Sequence, residues 1–132
     1  MKPVLLLSGA LLLSASIAAT AQDEAGKNEY MVACAVCHGE SGMGDGPFAR
    51  LMTIDVPSLT TLSAQNEGDF PFLKVFMTVD GRTQAEGHGA PMPVWGERFA
   101  EAVGDDAGPY GSELIIRGRI LSLVNYIESI QE

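Results

Sequence analysis

The sequence Cys34-Ala35-Val36-Cys37-His38 decides the fold of this chain. Its two thiols stand three positions apart, and a histidine follows the second one directly. In this C-x-x-C-H pattern both thiols can add to the vinyl groups of one haem while the adjacent histidine reaches the iron. We therefore predict one covalently attached haem c, bound through Cys34 and Cys37, with His38 as an iron ligand.

Other interpretations of the two cysteines are weaker. They are the only cysteines of the chain, so a plain disulfide or a thioredoxin-like redox pair is the main alternative. A redox C-x-x-C normally starts a helix that follows a strand, and no strand pattern precedes Cys34. A zinc site needs four protein ligands, but only two thiols are present.

Residues 1–21 have the features of a secretory signal peptide. Lys2 gives a positive start, residues 4–19 form an apolar run, and residues 19–21 fit the small-x-small cleavage pattern. An uncleaved anchor is the alternative, but about sixteen weakly apolar residues fall short of the ~20 that span a bilayer. We predict cleavage after Ala21 and a location in the periplasm.

The remaining residues, 22–132, are enough for one domain with a modest core. Without Lys2 they carry 7 basic and 17 acidic residues, a formal charge of −10. Nucleic-acid binding is excluded because phosphate contacts need basic patches. We expect a monomer whose partners are redox proteins with basic docking surfaces, and which meets membranes only through partner complexes. Solubility alone explains the acidity equally well.

The hydrophobic pattern predicts helices and no strands. A first helix over residues 23–33 has acidic residues at its start and runs into the C-x-x-C-H motif. A second has Pro71 in its first turn and stops at Gly81. A third covers residues 94–102, and no segment alternates with a period of two.

A final helix is predicted to begin after the acidic turn at residues 104–111, with Ser112 as its cap. Its apolar residues follow spacings of 4, 3, 1, 3 and 3, which place them on one helical face: Ile116, Ile120, Leu123, Val124, Ile127 and Ile130. Long glycine-rich loops occupy residues 39–57 and 81–93, and loops of this length are uncommon unless functional. We predict an all-α fold of three to five helices whose long loops wrap one haem.

Gly26 and Tyr30 stand four positions apart, with Cys34 four further on, and Leu123 and Tyr126 lie in the last helix. In this pattern the sequence resembles the class I cytochrome c family, specifically its small monohaem bacterial members. The resemblance covers essentially the whole chain after the signal peptide. It implies that the first helix crosses the last, where glycine permits a close approach and an aromatic ring fills the adjacent space.

The resemblance also implies a partner for the proximal histidine. Pro47, at the end of Gly44-Asp45-Gly46-Pro47, resembles the family proline whose carbonyl accepts a hydrogen bond from that histidine, here His38. A nucleotide-binding loop is not indicated, because no strand precedes the glycines and no lysine follows in the P-loop position.

Met92 is our predicted sixth ligand of the iron. Residues 90–96, APMPVWG, resemble the methionine loop of the family, and the flanking prolines restrict the backbone that carries the thioether. His88 is the rival, and two histidines would give a lower-potential haem. Four other methionines of the domain lie in apolar stretches or on the first glycine-rich loop: Met31, Met43, Met52 and Met77.

Two further residues have roles suggested by the resemblance or by position. Trp95 is expected either to donate its indole hydrogen to a haem propionate or only to pack. Arg50 is a candidate to pair with a haem propionate, and only its position in the sequence suggests this.

The resemblance implies a one-electron carrier rather than an enzyme, since both axial positions are filled and no nucleophile constellation is present. One alternative is a haem-bearing electron-transfer subunit of a periplasmic dehydrogenase. Another is a haem sensor or enzyme with an open sixth site.

Overall fold

The computed structural model describes residues 24–82, 92–104 and 106–132, and the predicted signal peptide at residues 1–21 lies outside them. The described chain forms five α-helices and two short 3-10 turns, without a strand, which confirms the predicted all-α class. The helices are α1 (24–33), α2 (Ala35–His38), α3 (Phe72–Asp80), α4 (Trp95–Val103) and α5 (Gly108–Ser129), and the 3-10 turns are Ala49–Leu51 and Ala64–Asn66.

Helix α3 ends where the sequence predicts, but it begins at Phe72, one residue after the proline expected in its first turn. Pro71 occupies its N-cap, and Gly81 ends the helix in the left-handed region at φ +67°, donating its N–H to the carbonyl of Met77 at 2.9 Å. A side chain at this φ would be strained, so glycine is the residue that stops the helix. Helix α4 lies one residue later than the predicted range of 94–102.

Helix α5 begins five residues before the start that a Ser112 N-cap predicts, so Ser112 is not its N-cap. The helix starts at Gly108 because Pro109, next in sequence, suits the first turn, where its missing N–H leaves no hydrogen bond unmade. Ser112 instead donates its hydroxyl to the carbonyl of Gly104 at 3.2 Å, which ties α5 to the end of α4. The predicted apolar face is confirmed by five buried residues: Ile116, Ile120, Leu123, Val124 and Ile127.

The first and last helices cross at Gly26, as the family resemblance implies. A Cβ on Gly26 would overlap the carbonyl oxygen of Ser122 in α5. One turn later Tyr30 is fully buried, with its ring 5.2 Å from that of Tyr126. The Tyr30 hydroxyl donates to the carbonyl of Gly39 at 2.7 Å, so the crossing also holds the loop that follows α2.

Replacing Gly26 with alanine is expected to lower the free energy of unfolding by ~1–3 kcal/mol, because the added methyl meets backbone that cannot rotate away. Denaturant unfolding of the haem-loaded protein measures the change. Gly118→Ala is the matched control in α5, since Gly118 is exposed and nothing lies within 4 Å of its Cβ position. The control should be neutral or stabilising by up to ~1 kcal/mol. Equal effects of the two substitutions would contradict the close crossing.

An ion pair reinforces this helix arrangement. Arg119 of α5 donates to both carboxylate oxygens of Glu29 in α1, at 2.7 and 2.9 Å. Its guanidinium also lies 4.1 Å from the ring centre of Phe99 in α4. Because the Arg119 side chain is partly buried and contacts both neighbours, it links α1 and α4 to α5.

None of the helices in the described part of the chain combines the length and hydropathy needed to cross a membrane.

Candidate functional site

The C-x-x-C-H motif continues the first helix by one further turn. Cys34 donates its backbone N–H to Tyr30 at 2.8 Å, and His38 donates its own to Cys34 at 2.8 Å. The two thiols are therefore carried on one helical turn, immediately before the imidazole. Both cysteines are free, with Cys34 buried and Cys37 half-buried, so the disulfide alternative is not formed. Burial raises the pKa of the Cys34 thiol to about 12, which keeps it protonated at neutral pH.

The imidazole of His38 is held in one orientation and one tautomer. Its Nδ1 lies 3.1 Å from the carbonyl oxygen of Pro57, and His38 is only 7% exposed. A carbonyl can only accept, so Nδ1 carries the hydrogen and Nε2 keeps its lone pair. Burial lowers the pKa of His38, and the hydrogen bond to Pro57 only partly opposes this shift. The side chain is thus neutral at neutral pH, which is the form that binds a metal.

The prediction that Pro47 accepts this hydrogen bond is wrong, because the acceptor is Pro57. Pro47 is exposed, and its neighbour Gly46 presses against α2, where a Cβ would lie 2.6 Å from each of three carbonyl oxygens. Phe48 then donates its N–H to the carbonyl of Val36 at 2.9 Å. This segment therefore follows the backbone of α2, and the chain returns to His38 only ten residues later.

His38, Cys34 and Met92 line the same cavity of about 290 Å³. His38 and Met92 are 54 positions apart in sequence, so the fold brings together the two predicted iron ligands. The rest of the wall is mainly apolar: Pro57, Leu59, Leu62, Pro71, Val75, Val79 and Ile127. Four polar residues complete it: Gln65, Asn66, Lys74 and Thr78.

Met92 differs from the other methionines of the described chain in lining this cavity. It is half-buried on the segment that enters α4. Four methionines are absent from the cavity wall: Met31, Met43, Met52 and Met77. The rival ligand His88 lies outside the described residues. The geometry therefore agrees with Met92, and the assignment remains a prediction.

Trp95 and Arg50 are not part of this cavity wall. Trp95 begins α4, where its ring lies 6.0 Å from that of Phe99 and 5.3 Å from the guanidinium of Arg98. Those contacts are packing contacts, and an indole hydrogen bond to a propionate stays a prediction. Arg50 is exposed on the first 3-10 turn, so its suggested pairing is equally a prediction.

Several cavity residues were missed in the sequence analysis. Lys74, Val75, Thr78 and Val79 all belong to α3 and recur at helical spacing, so one face of that helix forms a wall. The spacing was visible in the sequence and could have indicated the face. Leu59 and Leu62 follow Pro57 without a regular pattern, so no sequence signal marked them.

Comparison with protein-family models matches residues 24–106 to the family described as Cytochrome c, which is more than half of the chain. The chain belongs to the cytochrome c family. Neither the curated proteins nor the solved structures gave a match. Members of the cytochrome c family carry covalently attached haem c with its iron, and one haem is typical for a domain of this size. This cytochrome c is accordingly a haem-based electron-transfer protein.

The residues present fit that cofactor. A buried thiol, a neutral imidazole with a free Nε2 and a thioether converge on one largely apolar cavity, which suits a flat apolar ring with an iron at its centre. Within residues 24–82, 92–104 and 106–132, no cluster of three or more acidic, histidine or cysteine side chains could hold a metal on its own. The zinc alternative therefore has no support in the described chain.

Proposed function

We propose that this cytochrome c is a periplasmic one-electron carrier between redox proteins. The observation that carries the proposal is that His38 and Met92 line one apolar cavity together with Cys34. Haem bound there supplies a reversible one-electron couple of its iron. With His38 and Met92 as its ligands, the iron would have no coordination position left for a substrate, which favours electron transfer over catalysis or sensing.

Each protein group has a distinct part in this proposal. Cys34 and Cys37 would hold the cofactor through thioether bonds, and His38 would provide Nε2 as an iron ligand. The Pro57 carbonyl, 3.1 Å from Nδ1, keeps the imidazole from rotating and increases its basicity as a ligand. The soft Met92 thioether favours the reduced state.

The location and the partners are supported by sequence features alone. The pattern at residues 1–21, with cleavage after Ala21, supports export to the periplasm. The formal charge of −10 after cleavage supports encounter with basic docking surfaces, because opposite charges steer association. A small, short-lived contact with a monomeric carrier fits a protein that must also release its partner.

Electron transfer to a basic partner is expected to slow several-fold as salt rises from about 10 to about 300 mM, because the Debye length falls from ~30 Å at 0.01 M to ~8 Å at 0.15 M. Stopped-flow measurement of the bimolecular rate tests this. An uncharged small-molecule oxidant is the control and should show little salt dependence. A flat or rising profile with the basic partner would show that an apolar contact dominates and that the acidity serves only solubility.

A further inference from the structure

Arg82, two residues after α3, bridges two carboxylates on different helices. Its Nε donates to Asp80 at 2.5 Å, and its Nη1 donates to Glu113 of α5 at 2.7 Å. Its Nη2 reaches the second oxygen of each carboxylate, at 3.2 Å for Asp80 and 3.3 Å for Glu113. The guanidinium thus makes a two-pronged contact with each partner, a geometry that lysine cannot reproduce.

This cluster is not an ordinary surface ion pair. Asp80 is 4% exposed, so its charge is compensated inside the protein rather than by water. Removing one partner of such a pair leaves an uncompensated buried charge. The hydrogen bonds from Arg82, and then those from Arg117, lower the pKa of Glu113 to about 2, so the Glu113 carboxylate stays ionised at any physiological pH.

The same cluster packs against the chain just after Met92. A Cβ on Gly96 would overlap Asp80 Oδ1 and would lie 2.5 Å from Arg82 Nε. Two residues earlier, Val94 contacts the backbone at Gly81, where a Cβ would lie 3.1 Å from Val94 Cγ1. Residues 94–96, which follow Met92, therefore pack directly against residues 80–82.

On its other side the cluster continues into the cavity wall. Asp80 ends α3, and the two residues before it, Thr78 and Val79, line the cavity with Met92. Arg82 consequently joins three parts of the molecule: the end of the α3 wall, the start of α4 that follows Met92, and α5 through Glu113.

We propose that Arg82 is a positioning residue for the Met92 ligand. By tying α3, the start of α4 and α5 into one unit, it holds the thioether at the haem cavity without touching the iron. A thioether is a weak ligand, so its bond depends on a backbone that is already in place before ligation. The inference rests on the proposed function, because it takes Met92 as the axial ligand.

The test uses the haem-loaded protein with four substitutions: Arg82→Gln, Arg82→Lys, Glu113→Gln and Met92→Ala. The readouts are the methionine-to-iron charge-transfer band of the oxidised protein and its affinity for imidazole, which competes for the sixth position. We expect Arg82→Gln to weaken the band and to raise imidazole affinity about tenfold. Glu113→Gln should act in the same direction with a smaller effect, and Arg82→Lys should be intermediate.

Two control variants separate a positioning effect from a general loss of stability. Arg117→Gln removes the other partner of Glu113, and the Arg117 side chain is 62% exposed. Arg119→Gln breaks the ion pair with Glu29 between α1 and α5. Unfolding by denaturant measures the stability lost in each variant. Both controls should keep the imidazole affinity of the unsubstituted protein, even where Arg119→Gln loses as much stability as Arg82→Gln.

The outcomes distinguish this inference from the function on which it rests. If Met92→Ala leaves the band and the imidazole affinity unchanged, the ligand assignment itself is wrong. If Met92→Ala changes both and the variants of Arg82 and Glu113 change neither, Met92 is the ligand and the positioning role is wrong. Equal gains in imidazole affinity for Arg119→Gln and Arg82→Gln would also overturn the positioning role of Arg82. Should Arg82→Gln fail to fold, Glu113→Gln decides by the same criteria.

Discussion

Replacing both Cys34 and Cys37 with alanine is expected to abolish covalent haem attachment and to leave a largely unfolded chain. The cavity of about 290 Å³ lies beside the crossing of α1 and α5. No side chain among the described residues fills the space that its apolar wall encloses. The hydrogen bond from His38 to Pro57 ties the far end of the long loop from Gly39 to Pro57 to this site. Without the cofactor, too little apolar surface is buried to offset the entropy of ordering the loops.

Extraction of the purified variant with acid-acetone tests attachment, and far-UV circular dichroism tests folding. Each single substitution should retain one thioether bond and an intermediate stability. Val36→Ala is the matched control, because Val36 stands between the cysteines, is 37% exposed and is not needed for either bond. Haem that stays with the double variant after extraction would contradict the assignment of the motif.

Replacing Met92 with alanine is expected to keep the haem attached, to lower its reduction potential and to open the iron to imidazole or carbon monoxide. The potential falls because the thioether stabilises the reduced state. Imidazole affinity should rise by about 10- to 1,000-fold. The internal ligand leaves the iron open in only ~0.1–10% of molecules, and apparent affinity is reduced by that fraction.

Optical titration and potentiometry measure both changes. Met77→Ala is the matched control, because Met77 lies in α3 but is absent from the cavity wall. His88→Ala should also keep the ligation. Loss of the low-spin spectrum in the His88 variant together with its retention in the Met92 variant would reverse the assignment.

The parts of this structure that the sequence predicts well are those governed by local rules. Helix α3 lies between Pro71 and Gly81, two residues whose backbone preferences act wherever they occur. The buried face of α5 follows from the helical period alone. The predicted start of α5 at a Ser112 cap is wrong, because the helix already starts at Gly108 with Pro109 in its first turn.

The loop after His38, residues 39–57, shows what local sequence rules do not determine. Pro47 and Pro57 both stand in the loop after His38, and the group that binds the imidazole is a backbone carbonyl, which every residue possesses. Which of the two carbonyls reaches His38 depends on the path of the chain. The close packing of Gly46 against α2 sets that path. The pairing of Arg82 with Glu113 is similar, since 31 positions separate them and no periodic pattern links them.

The crossing of α1 and α5 also has a kinetic consequence, because it joins opposite ends of the chain. Tyr30 and Tyr126 are 96 positions apart, and closing a loop of that length costs on the order of 4 kcal/mol of chain entropy before any contact compensates it. Cys34 shares its cavity with Ile127 of α5, so its thiol becomes enclosed only when the last helix docks. We therefore expect haem attachment to precede or accompany the docking of the last helix, while the thiol is still accessible.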